Sequence, residues 1–274
     1  MPLIDDDLAA YFARIAFVDA RHPTLPALCG IVAGHTRAIP FENLDVLLGR
    51  GARIDIGTVL DKLVQRGRGG YCFEHNTLLL HVLQALGYEV EGLAARVLWN
   101  QPEDDPTART HMLLRVRLPE GDFLADVGFG GLTLTCPLRL AIGAEQPTPH
   151  EPHRLVAAGE EIELHARLDE RWFPLYRFSL LAQLPIDYEM ANWFTSTCPN
   201  TLFTANLMCA RSEPDRRYAL LNRKFTVRHR DGRVERRTIA DADDLHRVLN
   251  REFRVDIPQT DADAAWQRIG DTMG

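Results

Sequence analysis

The chain has 274 residues, 46% hydrophobic and 25% charged, which supplies a sizeable apolar core and excludes a disordered, collagen-like or coiled-coil protein. Its 31 Lys and Arg against 38 Asp and Glu leave a net charge of -7, a balance that argues against non-specific nucleic-acid binding. No apolar run approaches the roughly 20 residues of a membrane helix, the acidic start from Met1 to Asp7 is unlike a signal peptide, and five scattered cysteines fit a reducing compartment, so the expected location is the cytoplasm.

From residue 5 to 16, Leu8, Tyr11, Phe12 and Ile15 recur at helical spacing behind Asp5, Asp6 and Asp7, which sit at the favoured end of the helix dipole. A second helix is expected after Thr24 and Pro26, with Leu28, Ile31 and Val32 inward. Pro40 ends it by driving Ile39 towards extended geometry. Residues 57–65 read as a short helix, stopped by the glycine-rich loop 66–70. A longer helix starts near Cys72 and runs to Leu86, where Gly87 terminates it.

After Gly87 strand character takes over. Residues 90–99, 112–118 and 123–127 read as strands, the last two joined by a turn over 119–122, and 160–168 and 173–180 follow. Residues 145–153 hold three prolines and read as an exposed loop carrying His150 and His153. Beyond Asn192 the pattern is irregular, until 218–228 and 234–239 flank the hairpin signal Asp231-Gly232. Leu245, Val248, Leu249 and Phe253 mark a helix, and a last one follows Thr260. No internal repeat is visible. The order of helices, then strands, then a mixed end predicts an α+β chain of three compact segments.

The stretch from Arg66 to Asn76 places Cys72 on the first turn of a helix, behind a loop with two arginines. Unpaired N–H groups, the helix dipole and nearby cations stabilise a thiolate at such a place, and thiolate is the nucleophilic form. Cys72 is thus either a nucleophile or a small buried core residue. A cysteine nucleophile needs a base and an orienting group. His111 starts a predicted strand and Asp126 ends the next one, directly before Gly128-Phe129-Gly130-Gly131. His111 reads equally as a capping or surface histidine, and Asp126 as a turn former. If the turn at 119–122 pairs Leu118 with Phe123, His111 and Asp126 fall about 13 Å apart along the ladder, and contact needs a longer loop, a bulge or a different strand pairing.

The motif from Arg66 to Asn76 closely resembles the active-site signature of the arylamine N-acetyltransferases. The resemblance extends to Ile39-Pro40-Phe41-Glu42-Asn43-Leu44, to Arg109-Thr110-His111-Met112, to Asp126-Val127-Gly128-Phe129-Gly130, and to Asn192-Trp193-Phe194-Thr195-Ser196-Thr197 with Pro199 and Phe203. These matches are collinear and span most of the chain. Cys198 departs from the histidine that bacterial members often carry before that proline, which bears on the rim of the substrate pocket.

The resemblance implies a helical bundle over 1–87 carrying the nucleophile, a β-barrel over 88–191 carrying His and Asp, and an α/β lid over 192–274. It implies Cys72 as nucleophile, His111 as base and Asp126 as its orienter, brought together by the strands. It further implies Phe41, Val97, Phe129 and Phe203 as the apolar wall for an aromatic substrate, with Thr110, Gly128, Gly130 and Gly131 approaching coenzyme A. The implied reaction is acetyl transfer from acetyl-CoA to an arylamine, arylhydrazine or N-hydroxyarylamine through an acetyl-cysteine. An amide synthase of the same superfamily, fed by a carrier-bound acyl group, is the alternative. A papain-like or transglutaminase-like hydrolase shares the triad, but the motifs at 41–44 and 66–72 argue against it.

No metal is expected, since Cys72 and His75 lack a second pair to complete a tetrahedral site. His150 and His153 read as solvent-exposed. The basic run 223–230 alternates as a strand from Lys224, with Lys224, Thr226, Arg228 and Arg230 on one solvated face. Cys29, Cys136 and Cys209 read as packing residues.

Overall fold

The computed structural model describes residues 3–19, 21–102 and 106–271; Met1 and Pro2 of the acidic start and the acidic centre of loop 100–109 lie outside the described residues. The chain opens with helices α1 (Asp5–Arg14) and α2 (Leu25–Ala38), the two-residue strand β1 (Phe41–Glu42), and helices α3 (Leu44–Leu47), α4 (Ile56–Leu60) and α5 (Cys72–Ala85). A π-helical turn (Asp61–Gln65) extends α4, so the predicted helix over 57–65 is continuous with altered pitch. Thr24 starts α2 by accepting the Ala27 N–H at 3.4 Å, and the extended Ile39 ends it. At α5 the Glu74 carboxylate accepts the Tyr71 N–H at 3.0 Å. The inward faces, including Leu8, Tyr11, Leu28, Ile31, Val59 and Leu63, share one apolar cluster with Met112 and Leu114 of the following sheet.

Strands β2 (Glu89–Val97), β3 (Arg109–Leu118), β4 (Gly121–Ala125), β5 (Leu138–Arg139), β6 (Glu145–Gln146), β7 (His153–Ala158), β8 (Glu161–Leu168) and β9 (Arg171–Phe178) form one antiparallel sheet in the order β5-β4-β3-β2-β9-β8-β7-β6. It curls into a nearly closed barrel around Leu93, Leu113, Leu124, Leu155, Leu164 and Tyr176. Its two edges meet through a side chain: the Gln146 amide accepts the Arg139 N–H and donates to the Arg139 carbonyl, each at 2.8 Å.

Helices α6 (Pro185–Thr197) and α7 (Leu202–Ala205) lead to strands β10 (Met208–Glu213), β11 (Arg216–Leu221), β12 (Lys224–His229) and β13 (Val234–Thr238), then helices α8 (Ala242–Arg251) and α9 (Gln259–Asp271). This second sheet takes β1 on its edge, Phe41 opposite Ala210, and packs Leu220, Phe225 and Val227 against Leu245, Leu249 and Ala265. The expected α+β architecture is thus present. Among the described residues no helix is long and apolar enough to cross a membrane.

Four local expectations change. Helix α6 occupies a stretch read as irregular from residue 192, because its inward face is polar: Asn192, Thr195 and Ser196 are buried while Met190 and Trp193 are exposed. The predicted strand 218–228 is two strands, split where Asn222 turns at φ 52°. The segment read as a loop over 145–153 contains β6. Its histidines are not both solvent-exposed, since His153 is fully buried and His150 is half-buried between Thr135 and the Glu213 carbonyl. On β12, Phe225 and Val227 face inward and Lys224 outward, the alternation expected of the basic run.

Candidate active site

Cys72 is the first residue of α5 and is buried, its Sγ donating to the Thr110 carbonyl at 3.6 Å. His111 follows Thr110 on β3, and its Nε2 lies 2.7 Å from Asp126 Oδ2. The register explains how they meet. The hairpin turns on Pro119 and Glu120 alone, so Leu118 pairs with Gly121 and Leu114 with Ala125. Asp126 therefore follows opposite Leu113, two residues from His111 and on the same face, within diagonal side-chain reach. Neither a longer loop nor a bulge brings them together: the turn is two residues shorter than 119–122, and the β3–β4 pairing runs without a shift.

With Nε2 taken by Asp126, the second ring nitrogen of His111 is the one that bonds Cys72. Burial alone pulls the imidazole pKa down. The Asp126 charge and the bonds to Asp126 and Cys72 outweigh it and push it up to about 10. The same pairing, with bonds from Asn76 and the Gly128 N–H, overcomes burial and holds the Asp126 carboxyl low. His111 and Asp126 are thus a buried pair beside the sulfur in which a proton on the imidazole is favoured, so the ring is suited to take a proton from the thiol.

Gly128 is a glycine because nothing larger fits: a Cβ there would lie 2.7 Å from the Cys72 Cα and 2.9 Å from Asn76 Nδ2. Gly69 is constrained likewise, its Cβ falling 2.1 Å from the Pro40 carbonyl oxygen. The four expected wall residues stand in two groups. Phe41 and Phe203 pack with ring centroids 6.1 Å apart, and Phe203 meets Tyr71 edge-on at 5.5 Å. Phe129 meets His111 edge-on at 5.2 Å and Tyr176 at 5.1 Å, and Val97 pairs with Tyr176 across the β2–β9 ladder. Gly130 joins the groups, since a Cβ on it would lie 3.6 Å from the Phe41 ring. A cleft of about 370 Å³ between α2, the loop after α1 and the 213–214 turn includes none of Cys72, His111 and Asp126. Among the described residues no group of three or more His, Cys, Asp and Glu is arranged to hold a metal.

Residues 24–262 match the family model described as N-acetyltransferase. An arylamine N-acetyltransferase of Mycolicibacterium smegmatis is 44% identical over 256 residues, covering 92% of each chain. This chain belongs to the arylamine N-acetyltransferases. As a member it is an acyltransferase. An arylamine N-acetyltransferase of Escherichia coli is 40% identical over 89% of this chain and 86% of its own. The structure of the Mycobacterium marinum arylamine N-acetyltransferase in complex with CoA superposes with a TM-score of 0.92 at 40% identity, covering 96% of this chain and 99% of that one.

In this arylamine N-acetyltransferase, several motif residues serve as joints around Cys72, His111 and Asp126. Asn76, one helical turn after Cys72, donates to Asp126 Oδ1 at 3.0 Å and to the Met112 carbonyl at 2.7 Å, and accepts the Val127 N–H. Asn43 donates to the Phe203 and Asn206 carbonyls and accepts the Met208 N–H, which ties α3 to α7 and β10. Glu42 holds Arg68 at 2.7 Å, fixing the loop ahead of Cys72. The signal for Asn76 was its i+4 spacing from Cys72. Tyr176, buried against His111 at 5.0 Å, carried no sequence signal.

Proposed function

We propose that the chain acetylates the nitrogen of arylamines, arylhydrazines or N-hydroxyarylamines from acetyl-CoA, with Cys72, His111 and Asp126 as its catalytic residues. The observation that carries this reading is the buried 2.7 Å contact of His111 Nε2 with Asp126, which leaves the other ring nitrogen for Cys72. His111 takes the Cys72 proton, and Asp126 fixes the imidazole and balances its charge. The Cys72 sulfur attacks the acetyl carbonyl. The C–S bond to coenzyme A breaks, and the departing thiolate leaves as the thiol with the proton from His111. The amine nitrogen then attacks the acetyl-cysteine, His111 removes the nitrogen proton, and it returns this proton to Cys72 as the amide departs.

Phe41, Val97, Phe129 and Phe203 wall the acceptor; Phe129 meets His111, and Phe203 meets Tyr71, the residue before Cys72. Thr110 and Gly128, Gly130 and Gly131 face the donor. Gly131 fits this role, being exposed with nothing within 4 Å of where its Cβ would lie, so a pyrophosphate has room to approach the backbone. The division at 1–87, 88–191 and 192–274 belongs to the same reading. Three apolar clusters centre on the three parts, although the first takes in Met112, Leu114 and Ala210, the C-terminal one takes in Leu44 and Leu47, and α6 runs across the second boundary. Five unpaired cysteines support the cytoplasm as its location.

The test is stoichiometric. Acetyl-CoA alone should release one equivalent of CoA per chain and add one acetyl mass to the Cys72 peptide, and an arylamine should then discharge it as the amide. An unmodified Cys72 peptide with intersecting double-reciprocal lines would refute the covalent route. Silence with every acyl-CoA, beside activity with a carrier-bound acyl donor, would replace acetyl-CoA as the donor.

A further inference from the structure

The loop from Asp126 to Thr133 is held from two sides. On the bundle side Asn76 binds Asp126 and the Val127 N–H. At the far end Thr133 closes the loop on itself. Its hydroxyl donates to the Asp126 carbonyl at 3.0 Å and accepts the Phe129 N–H at 3.3 Å, and its own N–H donates to the Gly130 carbonyl at 3.1 Å. The Thr133 carbonyl accepts a 2.9 Å hydrogen bond from Arg217, which belongs to β11 in the C-terminal sheet.

Arg217 is buried. Its Nε and one terminal nitrogen grip both oxygens of Glu151 at 3.1 and 2.6 Å, and the other terminal nitrogen donates to Ser212 Oγ at 2.9 Å. Burial pushes the Glu151 carboxyl up, but the adjacent Arg217 charge prevails and holds it low, so the pair is ionised. A buried ion pair adds little net stability over well-packed apolar side chains of similar volume. What apolar side chains do not supply is a further donor aimed at the backbone carbonyl that ends the Phe129 loop.

We propose that Arg217, aligned by Glu151, is a positioning residue that sets the 126–133 loop for substrate binding. The inference rests on the reading of Phe129 as part of the acceptor wall. Thr133 reaches only the backbone carbonyl of Asp126; the carboxylate keeps its own bonds to His111, Asn76 and the Gly128 N–H, which hold the triad geometry without Arg217. Phe129 hangs on Thr133, and Thr133 hangs on Arg217. Loss of the Arg217 donor therefore loosens substrate binding and leaves the chemical step in place.

The experiment uses a neutral pair, Glu151→Gln with Arg217→Met, which leaves no uncompensated buried charge, and Arg217→Lys, which keeps the charge but loses the planar fork. Each protein is acetylated on Cys72 and then discharged with an arylamine. The expected result is that the amine concentration for half-maximal discharge rises roughly tenfold, the size of one charge-assisted hydrogen bond. The maximal discharge rate stays within about twofold of wild type, as one bound state of unchanged triad geometry requires. Amide exchange over 127–133 quickens. A merely structural role lowers the active fraction, and hence the amplitude, with the half-maximal concentration unchanged; that outcome in either folded variant overturns the proposal. Should the neutral pair fail to fold, Arg217→Lys alone decides. Wild-type protein that fails to acetylate on Cys72 overturns the underlying reading, and Phe129→Ala with unaltered amine dependence overturns the wall assignment, both separately from the behaviour of Arg217.

Discussion

Gly128 and Cys72 approach so closely that the pro-chiral hydrogen of the glycine points at the backbone of Cys72: a Cβ in its place would be 2.7 Å from the Cys72 Cα. The neighbouring atom is backbone and has no flexible end to swing aside. The barrel loop and the start of α5 are thereby locked at one distance.

Gly128→Ala should separate these two elements. Misplacement of reacting groups by an ångström costs roughly 100-fold in rate, and overpacking of a filled site costs about 1–3 kcal/mol. Turnover and urea denaturation of the variant measure both. Near-wild-type turnover would show that the contact is tolerant.

Asp126→Asn should fold and lose activity by roughly 1,000- to 10,000-fold. An asparagine keeps an acceptor for Asn76 and the Gly128 N–H, which both bind Oδ1. It then presents an N–H to His111 Nε2, which forces the proton onto the nitrogen that faces Cys72. The rate of CoA release in a single turnover reports this, and a folded variant at wild-type rate would make Asp126 structural.

Phe129→Ala and Phe203→Ala should weaken discharge of acetylated Cys72 by arylamine more than its acetylation. Loss of a buried aromatic contact is worth about 1–3 kcal/mol, or roughly tenfold to a hundredfold in the affected half-reaction. Equal losses in both halves would remove these rings from the acceptor wall.

Acid should destabilise the helical part through neutral buried histidines. The Pro40 carbonyl, 3.1 Å from His75 Nε2, requires a proton on that nitrogen. His75 Nδ1 must then accept from His35 Nε2 at 2.8 Å, and His35 Nδ1 from the Tyr11 hydroxyl at 2.9 Å. A second proton on His75 reverses this chain, so that His35 must donate to the Tyr11 hydroxyl, and it places a positive charge where no water solvates it. Burial holds His75 down to about 4, and burial with the neighbouring His75 holds His35 well below its usual value. With folded values depressed, their stabilisation is present above the unfolded value near 6.5 and is lost as pH falls towards 4. Loss at His75 alone amounts to roughly 3 kcal/mol. His111, raised to about 10, acts with the opposite sign: its contribution is complete below 6.5 and fades as pH rises through 10. Urea midpoints at pH 7, 5.5 and 4.5 for wild type and His75→Gln test the acid limb. An equal slope in both would sink this explanation.

The sequence carried the elements whose inward face is apolar, such as α1 with Leu8, Tyr11 and Phe12, and α8 with Leu245, Val248 and Leu249. It hid those whose inward face is polar. Asn192 reaches the Tyr71 hydroxyl and the Ala52 carbonyl, and β10 buries Arg211 and Ser212, so periodicity of apolar residues marked neither α6 nor β10. The grouping of Cys72, His111 and Asp126 was legible through the motifs, but the register that sets the distance between His111 and Asp126 was not. That distance depends on whether the hairpin closes on two residues or four, and Gly121 at φ 127° allows the shorter one. Tyr176 and Arg217 reach the site from distant strands, a placement that only tertiary pairing fixes.

The glutamine clasp between Arg139 and Gln146 has a consequence for the molecule among its neighbours. An unpaired strand edge is a template on which another chain adds. Here the two edge strands of the barrel are two residues long, and a side-chain amide occupies the N–H and C=O of Arg139. In the other sheet the outer strand β13 turns Glu235, Arg236 and Arg237 to solvent. Crowded protein of this kind has few places to begin a stack of strands, and resistance to fibrillation comes built into its seams.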